Sequence, residues 1–267
     1  MKQLIYTTFT PRNEDYEELI WEWIISLKYL AKYEGDIIVF NYGMPPRLIE
    51  QLQDFGAKVV DLPYRDQYNI SNYRNIDVIP HLRKFLIEKY DDYVMAHYDA
   101  DIWFQKSLDE MFETAAETKG VLFATEYARS CRYRGPIGGE ENNFAIQESL
   151  GGHIFGGWQA GKSLPYLNKL NEMKTLFESD WDITEWGTDQ SMLNSIYDAE
   201  NDKAHGLDYA CTYYFCDIKD GIVYRDENLV TAVHLTGFGR MGNDGQSEIE
   251  AFRFKNLHQD LWQCHHP

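Results

Sequence analysis

Apolar positions follow two alternating patterns along the first half of the chain. Short continuous apolar runs are typical of buried strands, whereas apolar residues that recur every three or four positions are typical of amphipathic helices. The runs predict strands over 4–9, 36–41, 58–62, 93–98 and 121–126, and the periodic stretches predict a helix from Pro11 to before Gly35 and others over 46–55, 72–90 and 107–117. This alternation predicts an α/β fold with a doubly wound, mostly parallel sheet.

The second half of the chain is less regular. Helical periodicity returns over 162–177 and 189–197, and a late strand is predicted over 231–235. Residues 127–149 carry arginines and glycines with little apolar periodicity, which is typical of a long functional loop that closes over a ligand. No repeat or linker divides the sequence, so we predict a single domain over 1–267.

Charge and composition exclude several classes of protein. The 267 residues include 25 basic and 43 acidic ones, a formal charge of −18, which disfavours binding to nucleic acid through phosphates. No apolar stretch approaches the roughly 18 residues that cross a bilayer, and no segment predicts a signal peptide. We therefore expect a cytoplasmic protein without an integral membrane segment. Aromatic and basic residues over 252–262 indicate either a packed terminal helix or a peripheral membrane contact.

The four cysteines lack the spacing of a zinc site or of a C-x-x-C redox pair. Their spacing predicts reduced, structural thiols.

The triplet Asp99-Ala100-Asp101 is the first candidate for chemistry. A D-x-D pattern alone means little, because a chain with 22 aspartates contains about two such triplets by chance, and a second occurs at 180–182. Position distinguishes them: Asp99 and Asp101 follow an apolar strand, where alternate side chains project to one side. Ligands of open α/β sheets bind at this carboxyl edge, and a hard divalent cation suits two carboxylates there.

A second candidate lies at the end of the late strand, where His234 is followed by Gly237 and Arg240. An imidazole beside two carboxylates favours manganese over magnesium. Glycine lets the backbone approach a phosphate, and arginine can neutralise a diphosphate. Taken alone, these residues are more typical of a histidine at the edge of the core and an arginine on the surface, and only together with Asp99 and Asp101 do they favour a metal and diphosphate site.

Two further segments each have two interpretations. Thr188 is a plausible N-cap that places Asp189 and Gln190 in the first turn of a helix, where they could contact a sugar or simply favour the helix dipole. The glycines around the apolar segment that begins at His153 permit either close approach to a ligand or a bulge and close helix packing.

In this order, the motifs resemble those of the GT-A glycosyltransferases, specifically the retaining families eight and six. Family eight has a strand-end D-x-D, a helical D-Q-x-x-L-N and a late H-x-x-G-x-x-K. Here these correspond to Asp99 and Asp101, to residues 189–194, and to His234 with Gly237 and Arg240, where arginine replaces lysine. The segment 153–157 (HIFGG) is instead similar to the I-F-G-G run of family six.

The resemblance implies a single GT-A (Rossmann-like) domain with a nucleotide-sugar half at about 1–125 and a smaller, loop-rich acceptor half at about 126–267. It implies an enzyme that transfers a hexose, with retention, from a nucleotide diphosphate sugar, UDP-sugar being the expected donor. The acceptor is a hydroxyl of a glycan, lipid-linked glycan, protein or small molecule, and the cofactor is Mn²⁺ or Mg²⁺.

The resemblance also implies roles for individual residues. The metal ligands are Asp99, Asp101 and His234, and the catalytic residues are Asp189 and Gln190. The residues expected to bind the donor are Thr7, Thr8, Phe9, Arg74, Ala100, His153, Gly237 and Arg240, with Arg83 as an alternative to Arg74.

Three alternatives remain. A nucleotidyltransferase of similar fold would need a glycine-rich triphosphate loop after the first strand, which residues 7–12 do not provide. A phosphatase of the haloacid dehalogenase type would need its D-x-D after the first strand. A non-catalytic nucleotide-sugar or carbohydrate-binding scaffold would retain the site without turnover.

Overall fold

The protein is built around a central β-sheet in the computed structural model, which describes residues 1–10, 14–63, 65, 75–89, 92–126, 153–179, 188–205, 209–212, 216–220 and 222–235. The strands are β1 (Lys2–Phe9), β2 (Asp36–Asn41), β3 (Lys58–Asp61), β4 (Tyr93–Tyr98), β5 (Ile102–Phe104), β6 (Val121–Glu126), β7 (His153–Lys162), β8 (Lys203–His205), β9 (Cys211–Thr212), β10 (Asp217–Lys219), β11 (Ile222–Arg225), β12 (Asn228–Leu229) and β13 (Ala232–His234). The helices are α1 (Glu14–Ile25), which continues into a π-helical segment (Ser26–Leu30), α2 (Pro46–Asp54), α3 (Ile79–Lys89), α4 (Asp109–Glu117), α5 (Ser163–Phe177) and α6 (Thr188–Ser195).

The central sheet has seven strands in the order β3-β2-β1-β4-β7-β6-β8. All neighbouring strands are parallel except at β7, which runs antiparallel to both β4 and β6. The carboxyl ends of six strands and the amino end of β7 therefore meet at one edge. This arrangement confirms the predicted α/β fold with a doubly wound, mostly parallel sheet.

Alternate side chains of β1 enter two different hydrophobic cores, one on each face of the sheet. Ile5 and Phe9 join the core that includes residues of α1, α2 and α4. Leu4 and Tyr6 join the core that includes residues of α3, α5 and α6. Burial on both faces explains why the central strands are continuous apolar runs rather than alternating ones.

The helix predicted over 72–90 is observed in two parts: residues 75–77 are helical, Val78 lies in a turn, and α3 begins at Ile79. Pro80 is the second residue of α3, so it lies in the first helical turn, where its missing N–H has no intrahelical partner to lose. Pro80 is therefore compatible with a helix that restarts at Ile79. Among the described residues, no helix combines the length and apolar character that would cross a membrane.

Two small sheets lie beside the central one. β13 pairs antiparallel with β5 and parallel with β9, and β10, β11 and β12 form an antiparallel meander. Of these strands only β13 was expected from the sequence. The others have two to four residues, too few for apolar alternation to identify them.

One cysteine differs from expectation. Cys216 forms a disulfide bond, so the prediction of reduced thiols is wrong for this residue. Disulfide formation depends on the Cα–Cα distance that the fold creates, which the spacing of cysteines along the chain does not report.

Candidate functional site

Asp99, Asp101 and His234 meet at the carboxyl edge of the central sheet. One ligand atom from each, two carboxylate oxygens and one imidazole nitrogen, lies within 4.8 Å of the other two. His234 arrives from a distant part of the sequence because β13 pairs with β5, which places His234 opposite Ile102. The Leu235 N–H donates to the Asp101 carbonyl oxygen at 2.9 Å and fixes this register. We call these three residues the acidic triad.

A tight turn brings the two carboxylates together. The chain turns directly after β4, where the N–H of Ile102 donates to the carbonyl oxygen of Asp99 at 3.2 Å. The expectation that both aspartates continue one strand and alternate along it is therefore wrong, although their side chains do converge. Ala100 lies in this turn and packs, partly buried, against the core. The turn also ends β4, whose residues are all buried.

Another histidine, His97, and one phenylalanine ring, Phe155, lie beside the triad. His97 Nε2 lies 3.6 Å from Asp99 Oδ1, and His234 Nε2 lies 3.3 Å from Asp101 Oδ1. The Phe155 ring lies 4.7 Å from the His234 ring, centroid to centroid. The side chains of Asp99, Asp101 and His234 retain 14%, 24% and 9% of their exposure, so solvent and ligands reach them.

The triad has the composition of a divalent-cation site. Two carboxylates held this close repel each other unless a cation or a proton is shared between them. Oxygen donors with one imidazole suit Mn²⁺ and are compatible with Mg²⁺. The donor set and its spacing thus fit the metal that the sequence predicts for these residues.

Gly157 allows β7 to pass directly beside Asp99. The Asp99 N–H donates to the Gly157 carbonyl oxygen at 2.9 Å. A Cβ atom at position 157 would lie 2.9 Å from Asp99 Oδ2 and would collide with the Phe155 ring. Close packing within the protein, one of the two interpretations of these glycines, is therefore present at Gly157.

Helix α6 is fixed to β7 by Asn194. The Asn194 Oδ1 accepts the Ile154 N–H at 2.9 Å, and Nδ2 donates to the carbonyl oxygens of Ile154 and Gln190 at 3.2 and 2.8 Å. The last residue of the D-Q-x-x-L-N motif therefore holds the first turn of the helix against the strand.

Gln190 is enclosed at this contact. A Cβ atom at position 156 would lie 3.1 Å from the Gln190 Cβ, so Gly156 lets the helix approach. Gln190 is buried, and its Nε2 atom has no hydrogen-bond partner among the described residues. Asp189 lies in the same first turn, as predicted from Thr188, although the helix already begins at Thr188. The side chains of Thr188 and Asp189 are outside the described part of the structure.

The residues of β1 that were predicted to bind the nucleotide sugar are mostly buried. Thr7 and Phe9 are buried, and Thr8 is half-buried at the same end of the strand. Phe9 packs in the core, and its carbonyl oxygen accepts the Tyr42 N–H at 3.0 Å. The Thr7 hydroxyl has no hydrogen-bond partner among the described residues.

Several predicted residues lie outside the described part of the chain. These are Arg74, Gly237, Arg240, the loop 127–149, the second triplet 180–182, the C-terminal residues 252–262 and the side chain of His153. Arg83, the alternative to Arg74, is exposed on α3.

One residue beside the triad, His97, was not expected from the sequence. It is fully buried in β4, two positions before Asp99. An imidazole within an otherwise apolar strand is the sequence signal that could have identified it.

Comparison with solved structures identifies similar folds. The galactosyltransferase LgtC, solved with donor and acceptor sugar analogues, is 12% identical to this chain. The superposition covers 98% of this chain and 100% of LgtC, with a TM-score of 0.58. An active-site Gln-to-Glu mutant of LgtC is also 12% identical, with the same coverage of both chains and a TM-score of 0.59. The glycosyltransferase GlyE of Streptococcus pneumoniae TIGR4 is 15% identical to this chain. The superposition covers 94% of this chain and 60% of GlyE, with a TM-score of 0.54.

The chain therefore has the GT-A glycosyltransferase fold. Neither the protein-family models nor the curated protein sequences compared with this chain match it.

Proposed function

We propose that this protein is a metal-dependent glycosyltransferase. It transfers a hexose from a nucleoside diphosphate sugar, with UDP-sugar the expected donor, to a hydroxyl acceptor, and it retains the anomeric configuration. The observation that carries the proposal is the acidic triad, whose three ligand atoms lie within 4.8 Å of one another at the sheet edge. The GT-A fold supports it, because ligands of open α/β sheets bind at this edge.

Asp99, Asp101 and His234 would hold the cation. When bound, a divalent cation stabilises the negative charge that develops on the departing diphosphate. The partial exposure of the triad leaves room for phosphate oxygens to complete the coordination. Arg240 and Gly237, which follow His234 closely in the sequence, would contact the same diphosphate.

Gln190 and Asp189 would orient the transferred sugar. The Nε2 atom of the buried Gln190 amide has no hydrogen-bond partner among the described residues. Burying such a donor costs free energy unless a ligand or water accepts its hydrogen bond. LgtC also has a glutamine in its active site, as its Gln-to-Glu active-site mutant indicates. Glutamine is a poor nucleophile, so Gln190 would bind rather than attack the anomeric carbon.

The transfer would be a front-face displacement. The bond between the anomeric carbon and the phosphate oxygen breaks, and its electron pair leaves with the diphosphate. The acceptor oxygen forms the new bond to that carbon and gives its proton to the departing phosphate. Thr7, Thr8, Phe9, Arg74, Ala100 and His153 would complete the donor site, with the segment 127–149 excluding water from it.

A donor screen tests the proposal. The full chain is incubated with Mn²⁺ and a set of nucleotide sugars, and release of the nucleoside diphosphate is measured. We expect release from one UDP-sugar and a new glycosidic product once a hydroxyl acceptor is supplied. Titration calorimetry with the same donors distinguishes the alternatives. Donor binding without release or transfer indicates a scaffold, and pyrophosphate release from a nucleoside triphosphate and a sugar phosphate indicates a nucleotidyltransferase.

A further inference from the structure

We propose that His97 is a positioning residue that fixes the Asp99 carboxylate and thereby sets the affinity of the acidic triad for its cation. The inference rests on the metal site of the proposed function and adds a residue that no sequence motif includes. His97 does not belong to the triad itself, because it is not one of the three residues whose ligand atoms lie within 4.8 Å of one another.

The position of His97 directs its imidazole towards Asp99. His97 is the fifth residue of β4, and Asp99 is the first residue after that strand. His97 Nε2 lies 3.6 Å from Asp99 Oδ1. A shift of roughly half an ångström would make this contact a hydrogen bond. The other carboxylate oxygen, Oδ2, faces the backbone of Gly157.

The protein interior holds the imidazole from behind. The rings of Tyr6 and His97 lie 5.1 Å apart, and the hydroxyls of Tyr6 and Tyr166 are hydrogen-bonded at 2.8 Å. Burial raises the pKa of Tyr166 well above its ordinary value, and the neighbouring Tyr6 raises it further, so the Tyr166 hydroxyl stays neutral. Gln159, also buried, lies directly opposite His97 on β7. These contacts restrict the ring to the orientation that faces Asp99.

The cost of burying an imidazole points to a role in the site. His97 is fully buried in a strand whose other residues are tyrosine, valine, methionine and alanine. A polar ring in such a place is unfavourable unless it interacts with a polar partner, and the Asp99 carboxylate is a partner of that kind. Partners that bind metal-ligating carboxylates from behind orient them, and their loss typically weakens metal binding by about 10–100-fold.

The test measures Mn²⁺ binding directly. Free Mn²⁺ is followed by electron paramagnetic resonance while the ion is titrated into the full chain without any nucleotide. We expect His97→Phe, which keeps a ring against Tyr6 but has no donor, to weaken Mn²⁺ binding by about 10–100-fold. His97→Gln, whose amide nitrogen reaches the position of Nε2, should keep affinity within a few-fold of the unmodified protein.

Two further variants keep the test decisive. The amide nitrogen in His97→Asn is too far from Asp99 to donate to it, so this variant should also bind Mn²⁺ about 10–100-fold more weakly. It therefore replaces His97→Phe in the test if His97→Phe fails to fold. His81→Phe is the matched control. His81 lies on α3, and its ring is 5.9 Å from the Phe40 ring. This variant should leave Mn²⁺ affinity unchanged. Thermal melting without Mn²⁺ separates loss of folding from loss of binding in every variant.

The outcomes separate this inference from the proposed function. Unchanged Mn²⁺ affinity in His97→Phe, or equal loss in His97→Gln and His97→Phe, would overturn the role of His97 even if donor turnover is observed. Mn²⁺ binding that depends on His97, without turnover of any nucleotide sugar, would support the inference and contradict the proposed function. Equal Mn²⁺ binding by the unmodified protein and Asp99→Ala would overturn both.

Discussion

Asp202 and the aspartates of the acidic triad lie at two places in the same fold, and their neighbours differ. Asp202 is buried beside Lys169, whose Nζ lies 2.8 Å from Oδ2. Its Oδ1 accepts the Val121 N–H at 2.8 Å, and its Oδ2 also accepts the Asp198 N–H at 2.9 Å. The charge of Asp202 is thus neutralised by an ammonium group and two amides that the protein itself supplies.

The triad has a different composition. Asp99 and Asp101 face each other and two imidazoles, His97 and His234, at 3.6 and 3.3 Å. Neither imidazole carries a permanent charge, because histidine is neutral or cationic depending on its surroundings. The comparison teaches that residue type does not separate a structural aspartate from a ligand. What separates them is whether the fold provides a fixed cation within contact distance.

Removal of a triad residue should produce the largest effect on activity. We expect Asp99→Ala, Asp101→Ala and His234→Ala each to lower Mn²⁺-dependent donor hydrolysis by about a thousand-fold or more, because a bound metal contributes several kcal/mol to such a reaction. Released nucleoside diphosphate is the measurement. Asp180→Ala, in the second D-x-D triplet, is the control and should retain activity. Metal-independent hydrolysis that persists in all three variants would contradict the site assignment.

Removal of the cation at Asp202 should instead affect stability. Lys169→Met leaves a buried carboxylate without its ammonium partner, so we expect the free energy of unfolding to fall by about 3 kcal/mol. Lys174→Met on the same helix breaks only the exposed contact with Glu178 and should cost less than about 1 kcal/mol. Denaturant unfolding measures both. Equal losses in the two variants would mean that the Lys169–Asp202 pair has no special role.

The two carboxylate clusters should also differ in their response to metal. Mn²⁺ at a hundred times its dissociation constant should stabilise the unmodified protein by about 2.7 kcal/mol, because it binds only the folded state. Lys169→Met should show the same increment from a lower baseline, whereas Asp101→Ala should show none. Thermal melting with and without Mn²⁺ measures the increment. A similar increment in Asp101→Ala would place the metal elsewhere.

The smallest expected effect tests the contact between β7 and α6. Gly156→Ala and Gly161→Ala each introduce a Cβ 3.1 Å from its nearest neighbour, and we expect each to cost about 1 kcal/mol of stability. Only position 156 contacts Gln190, whereas position 161 contacts the Gly120 carbonyl. We therefore expect kcat to fall in Gly156→Ala alone. Equal kcat values in the two variants would argue that Gln190 has no part in turnover.

The sequence predicted five of the seven strands of the central sheet, β1, β2, β3, β4 and β6, as short apolar runs. Runs such as that of β4 are continuous and largely apolar, and the residues on either side of each run favour turns. The sequence also favoured the triplet at Asp99 over the one at 180–182, because ligand sites of parallel sheets lie at strand ends. Burial and strand direction are properties of short segments, so a single chain reveals them.

What the sequence could not reveal depends on distant contacts. The three residues of β5 become a strand only by pairing with β13, more than a hundred positions later, and that pairing delivers His234 to Asp101. The turn at Asp99 and the antiparallel course of β7 likewise depend on tertiary hydrogen bonds. Non-local pairing leaves no periodic signal in the segment that undergoes it.

The reversed direction of β7 has a consequence for how the molecule can diversify. Glu126 and His153 are paired neighbours in the sheet, so the chain leaves and re-enters it at one point. The cost of closing a connection rises only slowly with its length, and the register of β6 and β7 is set within the strands. Replacing 127–152 by a sequence of another length should therefore cost little closure entropy, because the pairing of Glu126 with His153 holds both ends.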